Sequence, residues 1–465
     1  MFRRLLLANR GEVAARVNRT CRRLGVETVA VVSEADRDLA WLNEVEQVVV
    51  VGGPHPRDSY LDADALLEVA RRERCAAVHP GWGFLSENAT FAARCEALGI
   101  VFVGPPAGVL HLTGDKAVAR RAFERLGLLP IPGSSGAVAD VARARAEADR
   151  VGWPVLLKAV AGGGGRGLAM ARTAEELDQA FLEARAQAVA AFGEGALYVE
   201  RFVEGARHVE FQILVDRYGN AVCLGERECS LQRRRQKVME EAPSPLGDPR
   251  DRQATGERAA EALAALGYVG AGTVEMLATP GGDLWFLECN ARLQVEHGIT
   301  EALCGLDLVE WQLKIAAGER LSVPAVSARP GGHALECRVN AEDPAHDFAP
   351  SPGRLVRLDL PSGEGVRVDT HLRRAGPGDA GDQIPPHYDS LLCKIITQGN
   401  DRAEALDRMR AALSRTRIAG VRTNVALHLQ LLDRPEVIEG RLDTGLLDRI
   451  LPDLVPYLPR ITPEP

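Results

Sequence analysis

The chain has 465 residues, which at ~150 residues per domain predicts about three domains. Hydrophobic residues at 46% and charged residues at 26% are the balance of a soluble globular chain. The net charge of −8 excludes non-specific nucleic-acid or membrane-surface binding, which needs a basic footprint, and no apolar run nears the ~18 residues of a membrane span.

The start, Met1 to Arg10, carries only the short apolar stretch Leu5–Ala8. A signal peptide needs an apolar region of at least ~7 residues, so this stretch reads as a buried first strand and the chain is expected to be cytoplasmic. Nine cysteines lie scattered with no C-x-x-C pair, which predicts neither a disulfide framework nor a zinc site. Of 56 basic residues only Lys116, Lys158, Lys237, Lys314 and Lys394 are lysine. In so arginine-rich a chain a surviving lysine marks a place where a compact ammonium is wanted and a planar fork is not. Chance is an acceptable account for two of the five.

Apolar runs Leu5–Ala8, Thr28–Val32, Val48–Val51, Ala76–His79 and Ile100–Val103 predict short strands, with helices at Glu12–Leu24, Asp62–Arg72 and Glu87–Leu98 between them. Such alternation predicts an open, mostly parallel α/β sheet, with ligand contacts at the carboxyl ends of its strands. Asn9–Glu12 and His79–Asn88 stand there. After a turn-rich stretch at Gly127–Gly136 come a strand (Pro154–Val160), a glycine turn, a strand (Leu168–Arg172), a helix (Ala174–Phe192) and a strand (Leu197–Val203). Alternating strands and hairpins follow from Arg207, with helices near Arg250–Leu266 and Leu306–Ala317. A third segment opens at Gly331–Asn340 and ends in a helix around Arg402–Leu413; the last fifteen residues hold five prolines and are expected to pack loosely.

The run Lys158-Ala-Val-Ala-Gly-Gly-Gly-Gly-Arg-Gly167 satisfies G-x-G-x-x-G. The dinucleotide fold requires a helix after that motif, and a strand follows instead. What remains is a hairpin of bare backbone N–H groups able to close over phosphates, or a flexible loop without a ligand. In the hairpin Gly272–Asn290, a turn at Pro280–Asp283 sets Thr279 opposite Leu284 and so Glu275 opposite Glu288. Directly opposed like charges destabilise a sheet. With Asn290 on the same face they favour a hard divalent cation, although a one-residue register slip would separate them. Next comes Asn290-Ala-Arg-Leu-Gln-Val-Glu-His297. Arg292 offers a fork for a carboxylate or bicarbonate, Glu296 is a candidate general base, and His297 reads equally well as structural. On Arg207–Ile213, His208, Glu210 and Gln212 share one face while Val209, Phe211 and Ile213 take the core. Glu336, Arg338 and Asn340 likewise oppose Leu335, Cys337 and Val339, so Arg338 projects from a strand.

Together these residues resemble the biotin carboxylases of the ATP-grasp superfamily, from about residue 3 to about residue 450. The likeness rests on Ala-Asn-Arg-Gly-Glu at 8–12, His-Pro-Gly-x-Gly-Phe-Leu-Ser-Glu-Asn at 79–88, Gly-Asp-Lys at 114–116 and Gly-Gly-Gly-Gly-Arg-Gly at 162–167. It continues through Arg-His-Val-Glu at 207–210, Gln-Lys-Val at 236–238, Asn-x-Arg-x-Gln-Val-Glu-His at 290–297 and Glu-Cys-Arg-x-Asn-Ala-Glu-Asp at 336–343. The resemblance implies an N-terminal Rossmann-like parallel-sheet domain (1–112) and an ATP-grasp domain (113–330) with a mobile glycine-rich lid at about 131–203. A C-terminal mixed-sheet domain (331–450) and a proline-rich tail (451–465) would follow.

By that resemblance Lys116, Lys158 and His208 hold nucleotide phosphate or ribose under a lid carrying Gly164 and Gly165. Glu200, Arg201, Phe202 and Val203 line the adenine, with Arg235 near the nucleotide. Glu275, Glu288 and Asn290 bind two Mg²⁺ or Mn²⁺. Lys237, Arg292, Gln294 and Val295 seat bicarbonate, Glu296 removes its proton, and Arg338 steadies the biotin enolate. The implied activity is ATP-dependent carboxylation of biotin through carboxyphosphate, with the biotin on a separate carrier protein, carboxyltransferase subunits as partners, and a homodimeric assembly. A catalytically impaired ATP-binding paralogue and another ATP-grasp carboxylate–amine ligase are the alternatives. Three positions depart from the family pattern: Trp82 stands where tyrosine is usual, Arg235 where histidine is usual, and Ala161 shortens the glycine run. Lys314 and Lys394 lie in apolar patterns and are unsuitable as biotin acceptors.

Overall fold

The computed structural model describes residues 1–160, 167–323, 331–373, 375–376 and 381–458. Ala161, Gly164 and Gly165 lie outside these residues. The chain opens with β1 (Arg4–Leu7), α1 (Gly11–Arg23), β2 (Glu27–Ser33), β3 (Gln47–Gly52), α2 (Ala63–Arg72), β4 (Ala77–His79), α3 (Ala89–Ala97) and β5 (Val101–Phe102). The five strands form one parallel sheet in the order β3-β2-β1-β4-β5. Leu5, Leu6 and Leu7 are at most 1% exposed, because a parallel sheet is covered on both faces and its strands read as unbroken apolar runs. Asp62 and Asn88 cap α2 and α3 by accepting the backbone N–H of Ala65 and Phe91, which sets each helix start.

Three helices without a clear sequence signal come next: α4 (Ala107–Gly114), α5 (Lys116–Arg125) and α6 (Val141–Val151). The inner face of α6 is built on Ala144 and Ala148, so its apolar period is faint. Asp115 accepts the Ala117 and Val118 N–H groups at 2.9 Å and thereby fixes Lys116 at the first turn of α5. Next, β6 (Val155–Ala159), β7 (Leu168–Ala171), α7 (Ala174–Phe192) and β8 (Leu197–Arg201) build a three-stranded antiparallel sheet with β6 in the middle.

The largest element begins with β9 (Arg207–Val215), β10 (Ala221–Arg233), β11 (Gln236–Ala242), α8 (Pro249–Ala265), β12 (Gly270–Ala278), β13 (Leu284–Asn290), α9 (His297–Cys304), α10 (Leu308–Ala316) and β14 (His333–Asn340). Its strands, with Leu391–Gly399 and Val366–Thr370, form one eight-stranded antiparallel sheet in the order β13-β12-β9-β10-β11-β14, then Leu391–Gly399 and Val366–Thr370. That sheet runs without a break across the sequence between the second and third predicted segments. Polar residues on β9 were expected on one face and core residues on the other. The polar face is buried as well: His208, Glu210 and Gln212 are enclosed along with Val209, Phe211 and Ile213, and charged side chains such as Arg227 and Lys237 pack against Glu210.

Two expectations are corrected. Thr279 does not pair with Leu284; Ala278 does, and a register shift between Glu275 and Met276 then restores Glu275 opposite Glu288. The turn was misplaced by one residue, and a β-bulge supplies the missing residue. The C-terminal region is not uniformly loose either. Helices Arg402–Arg415 and Val425–Leu432 precede a helix at Leu446–Leu454. Leu454 and Leu458 are buried in the core cluster around Leu431 and Ile450, so apolar burial outweighs the proline content up to residue 458. Among the described residues no helix is long and apolar enough to cross a membrane.

Four buried histidines make stability sensitive to acid. Burial lowers His79 and His428 to about 4 and His297 and His371 to about 3. An unfolded imidazole takes up its proton near ~6.5, so between that pH and the folded value the unfolded chain binds more protons and stability falls as pH falls. His428→Gln keeps a donor for the Arg338 carbonyl, which His428 contacts at 2.8 Å. Between pH 7.5 and 5 the wild type should lose about 2 kcal/mol more than this variant in urea unfolding. Equal losses would mean that His428 is not held neutral by burial.

Candidate active site

A cleft of about 1150 Å³ lies between the three-stranded sheet and the eight-stranded sheet. It is lined by Lys116, Lys158, Glu200, Arg201, Phe202, Val203, His208, Arg235, Lys237, Glu275, Glu288, Asn290, Arg292, Gln294, Val295 and Arg338. All but three of the site residues expected from sequence therefore meet in one cavity. Gly164 and Gly165 lie outside the described residues, and Glu296 is fully buried directly beneath.

The upper wall comes from the three-stranded sheet. Lys158 on β6 is ion-paired with Glu200 on β8, and Arg120 on α5 holds the other Glu200 oxygen at 2.8 Å. Burial lowers the Lys158 ammonium despite Glu200. On the lower wall, Phe123 of α5 stacks on Phe286 of β13 at 4.3 Å between ring centroids, which brings Lys116 within 3.9 Å of Glu288.

Glu275 and Glu288 face each other across β12 and β13 and open into the same cleft. Desolvation and then the charge of Glu275 push the Glu288 carboxyl up. Glu275 is held well below the usual carboxylate range: burial opposes this, but Lys237 and His208 prevail. His208 reaches Glu275 at 2.9 Å. The donor set of two opposed carboxylates and an amide oxygen, one carboxylate strained by its neighbour's charge, fits a hard divalent cation. His208, Glu210 and Glu275 also offer ligand atoms within 4.8 Å of one another.

The floor is a compact knot of charge. The Lys237 ammonium donates to Glu210 at 2.7 Å, to Glu275 at 3.0 Å and to Glu296 at 2.6 Å. Arg338 donates to the second Glu296 oxygen at 2.9 Å and to Glu240 at 2.7 Å. Burial alone would raise Glu296, yet Lys237, Arg338 and Arg227 hold it well below the usual range. Arg292 spends its fork on Glu87, Gln294 and Asn290, at 2.9, 2.8 and 2.9 Å. The indole N–H of Trp82, on the cleft wall, is buried without a hydrogen-bond partner. Arg235, with a left-handed φ of 67°, sits at the tip of the hairpin joining β10 and β11.

Sequence reasoning missed Glu87, Glu210, Arg227 and Glu240 as members of this knot. Arg227 is wholly buried and links Glu210, Gln212, Thr273 and Thr300. Glu240 is pushed up to about 7, by burial first. A register shift between Leu231 and Gln232 on β10 turns Lys237 and Glu240, three residues apart, into the same cluster. No strand alternation reveals that. Glu87 was visible inside the motif at 79–88, but nothing local pairs it with Arg292.

Family models describing the biotin carboxylase N-terminal domain, the carbamoyl-phosphate synthase L chain ATP-binding domain and the biotin carboxylase C-terminal domain match residues 1–110, 115–323 and 336–449. Biotin carboxylase of Pseudomonas aeruginosa is 45% identical over 452 residues, covering 97% of this chain and 99% of that protein. Biotin carboxylase 1 of Bacillus subtilis is 44% identical, covering 96% and 98%. Among solved structures, the biotin carboxylase domain dimer of Hydrogenobacter thermophilus 2-oxoglutarate carboxylase, in complex with MgADP, ADP and bicarbonate, superposes with a TM-score of 0.92 at 42% identity, covering 99% of this chain and 100% of that one. Campylobacter jejuni biotin carboxylase in a β-γ-ATP complex gives 0.92 at 38% identity, covering 97% and 99%. With these family models and relatives matching over nearly the whole length, the chain belongs to the biotin carboxylase family.

Proposed function

We propose that this chain carboxylates biotin with bicarbonate at the expense of ATP, giving N-carboxybiotin, ADP and phosphate. The observation that carries this reading is Glu296, a buried carboxylate kept ionised by Lys237 and Arg338 beneath a cleft whose wall holds the opposed pair Glu275 and Glu288. Lys116, Lys158 and His208 take nucleotide phosphate or ribose, Glu200, Arg201, Phe202 and Val203 border the adenine, and Arg235 lies near the nucleotide. Magnesium or manganese held by Glu275, Glu288 and Asn290 supplies charge neutralisation at the triphosphate.

Lys237, Arg292, Gln294 and Val295 seat bicarbonate. Lys237 and Arg292 are already hydrogen-bonded within the protein, so the anion replaces those partners. Glu296 takes the bicarbonate proton, and the freed oxygen attacks the γ-phosphorus, releasing ADP and forming carboxyphosphate. Cationic side chains stabilise the developing charge. Carboxyphosphate breaks into CO₂ and phosphate, and phosphate accepts the ureido proton of biotin. The biotin nitrogen then attacks CO₂ while Arg338 holds the enolate oxygen.

The division into 1–112, 113–330 and 331–450 belongs to the same reading. So do a separate biotin carrier protein, carboxyltransferase partners, a homodimer and a cytoplasmic setting; the dimeric Hydrogenobacter domain supports the assembly. Purified protein should release phosphate from ATP only with bicarbonate, and faster with free biotin. ATP turnover indifferent to bicarbonate would overturn the assignment, and biotin found covalently attached to this chain by mass spectrometry would overturn the separate carrier.

A further inference from the structure

Lys394 is one of five lysines in this arginine-rich chain, and the family reading gives it no task. It is wholly buried. On the strand Leu391–Gly399 it stands directly between Arg338 of β14 and Asp369 of the neighbouring strand Val366–Thr370. Directly paired residues share a face of the sheet, so Arg338, Lys394 and Asp369 form a row across three strands. The Lys394 ammonium donates to the Val295 carbonyl oxygen at 2.7 Å. Its counter-charges are Glu12 of α1 at 3.3 Å and Asp369 at 3.7 Å.

The helix start above this row is closely packed. A Cβ on Gly298 would come within 2.4 Å of Ile396 Cδ1, with Glu336 and Asp369 oxygens at 3.5 and 3.6 Å. The first turn of α9 is therefore pressed onto the sheet at Gly298, and the Lys394 bond fastens the chain ahead of it at Val295, one residue before Glu296. A buried ammonium needs paired charge and satisfied donors, and it brings three donors on a compact head where a guanidinium would bring five on a rigid planar fork.

We propose that Lys394 is a positioning residue for bicarbonate chemistry: it holds the Val295 carbonyl and through that bond sets where Val295 and Glu296 stand. The proposal rests on the assignment of Val295 and Glu296 to bicarbonate. Arg338 and Lys237 hold the Glu296 side chain, and Lys394, beside Arg338 on the same face of the sheet, holds the backbone next to it.

Lys394→Met alone would strand the Glu12 charge, whereas Asp369 keeps Arg19 and Arg367 at 2.9 and 2.6 Å, so the test adds Glu12→Gln. The single variant Glu12→Gln keeps the Lys394–Val295 bond and serves as reference. The double variant Glu12→Gln/Lys394→Met should fold, shown by circular dichroism. Its KM for bicarbonate in a phosphate-release assay should lie about tenfold above that of Glu12→Gln, the scale of a lost charge-assisted hydrogen bond. Its KM for ATP should stay within about twofold of the reference. The proposal is overturned if the two proteins share the same bicarbonate KM, or if both constants rise together, as general loosening would produce. A double variant that cannot fold overturns it as well, because the charge balance argued here would not hold. Wild-type protein without bicarbonate-dependent turnover would instead sink the functional assignment, so the two failures are distinct.

Discussion

Glu296→Gln is expected to lower bicarbonate-dependent phosphate release by roughly 10²–10⁴-fold, the usual worth of a positioned general base, while nucleotide affinity stays near the wild-type value. Glutamine keeps the size and one oxygen of the side chain but cannot accept a proton. The environment makes this a sharp test. Glu296 is wholly buried, and Lys237 and Arg338 hold its two oxygens at 2.6 and 2.9 Å, so it is ionised at neutral pH and no bulk water replaces it. Its neighbour Glu240, pushed up to about 7, is tied to the same arginine but does not reach Lys237. A loss below about tenfold would place the base elsewhere, because a positioned base contributes at least ~10²-fold.

Glu288→Gln is expected to abolish turnover at ordinary magnesium concentration, with part of the rate returning as magnesium is raised. Of the opposed pair, Glu275 is engaged by Lys237, Gln294 and His208, whereas Glu288 meets Lys116 only at 3.9 Å. Glu288 is therefore the carboxylate whose charge is least compensated within the protein, and a cation would relieve it most. Its raised pKa gives a direction for pH as well. Ligation requires the deprotonated form, so apparent magnesium affinity should weaken as pH falls, and this dependence should shrink in the glutamine variant. Wild-type activity across a magnesium titration of the variant would mean that the cation is bound elsewhere.

Much of this site was legible in the sequence because strand alternation is a local code. The period of two put Arg338 on the face opposite Leu335, Cys337 and Val339, and counting along one hairpin brought Glu275 to Glu288. That count reached the right pair by two offsetting features, a turn placed one residue off and a bulge that restored the register. Bulges carry no clear composition signal, so the sequence could not show that the bulge between Glu275 and Met276 is what sets the two glutamates opposite each other. The lysine census singled out Lys237, which lies on the cleft wall, and gave no place to Lys394, whose apolar neighbours read as a plain core strand.

By itself, then, the sequence determined the parallel first sheet, the strands that bear the chemistry and the residue types able to bind phosphate, metal and bicarbonate. Each of these follows from periodicity and side-chain chemistry within a few residues. Only the tertiary structure decided that Lys237, Glu296, Arg338 and Lys394, drawn from four separate stretches, meet at one loop, with Arg338 and Lys394 side by side on one face of the sheet. Their meeting depends on which strands pair across the eight-stranded sheet and on where the pairing slips, and that choice is made by burial summed over the whole core rather than by any short stretch of chain.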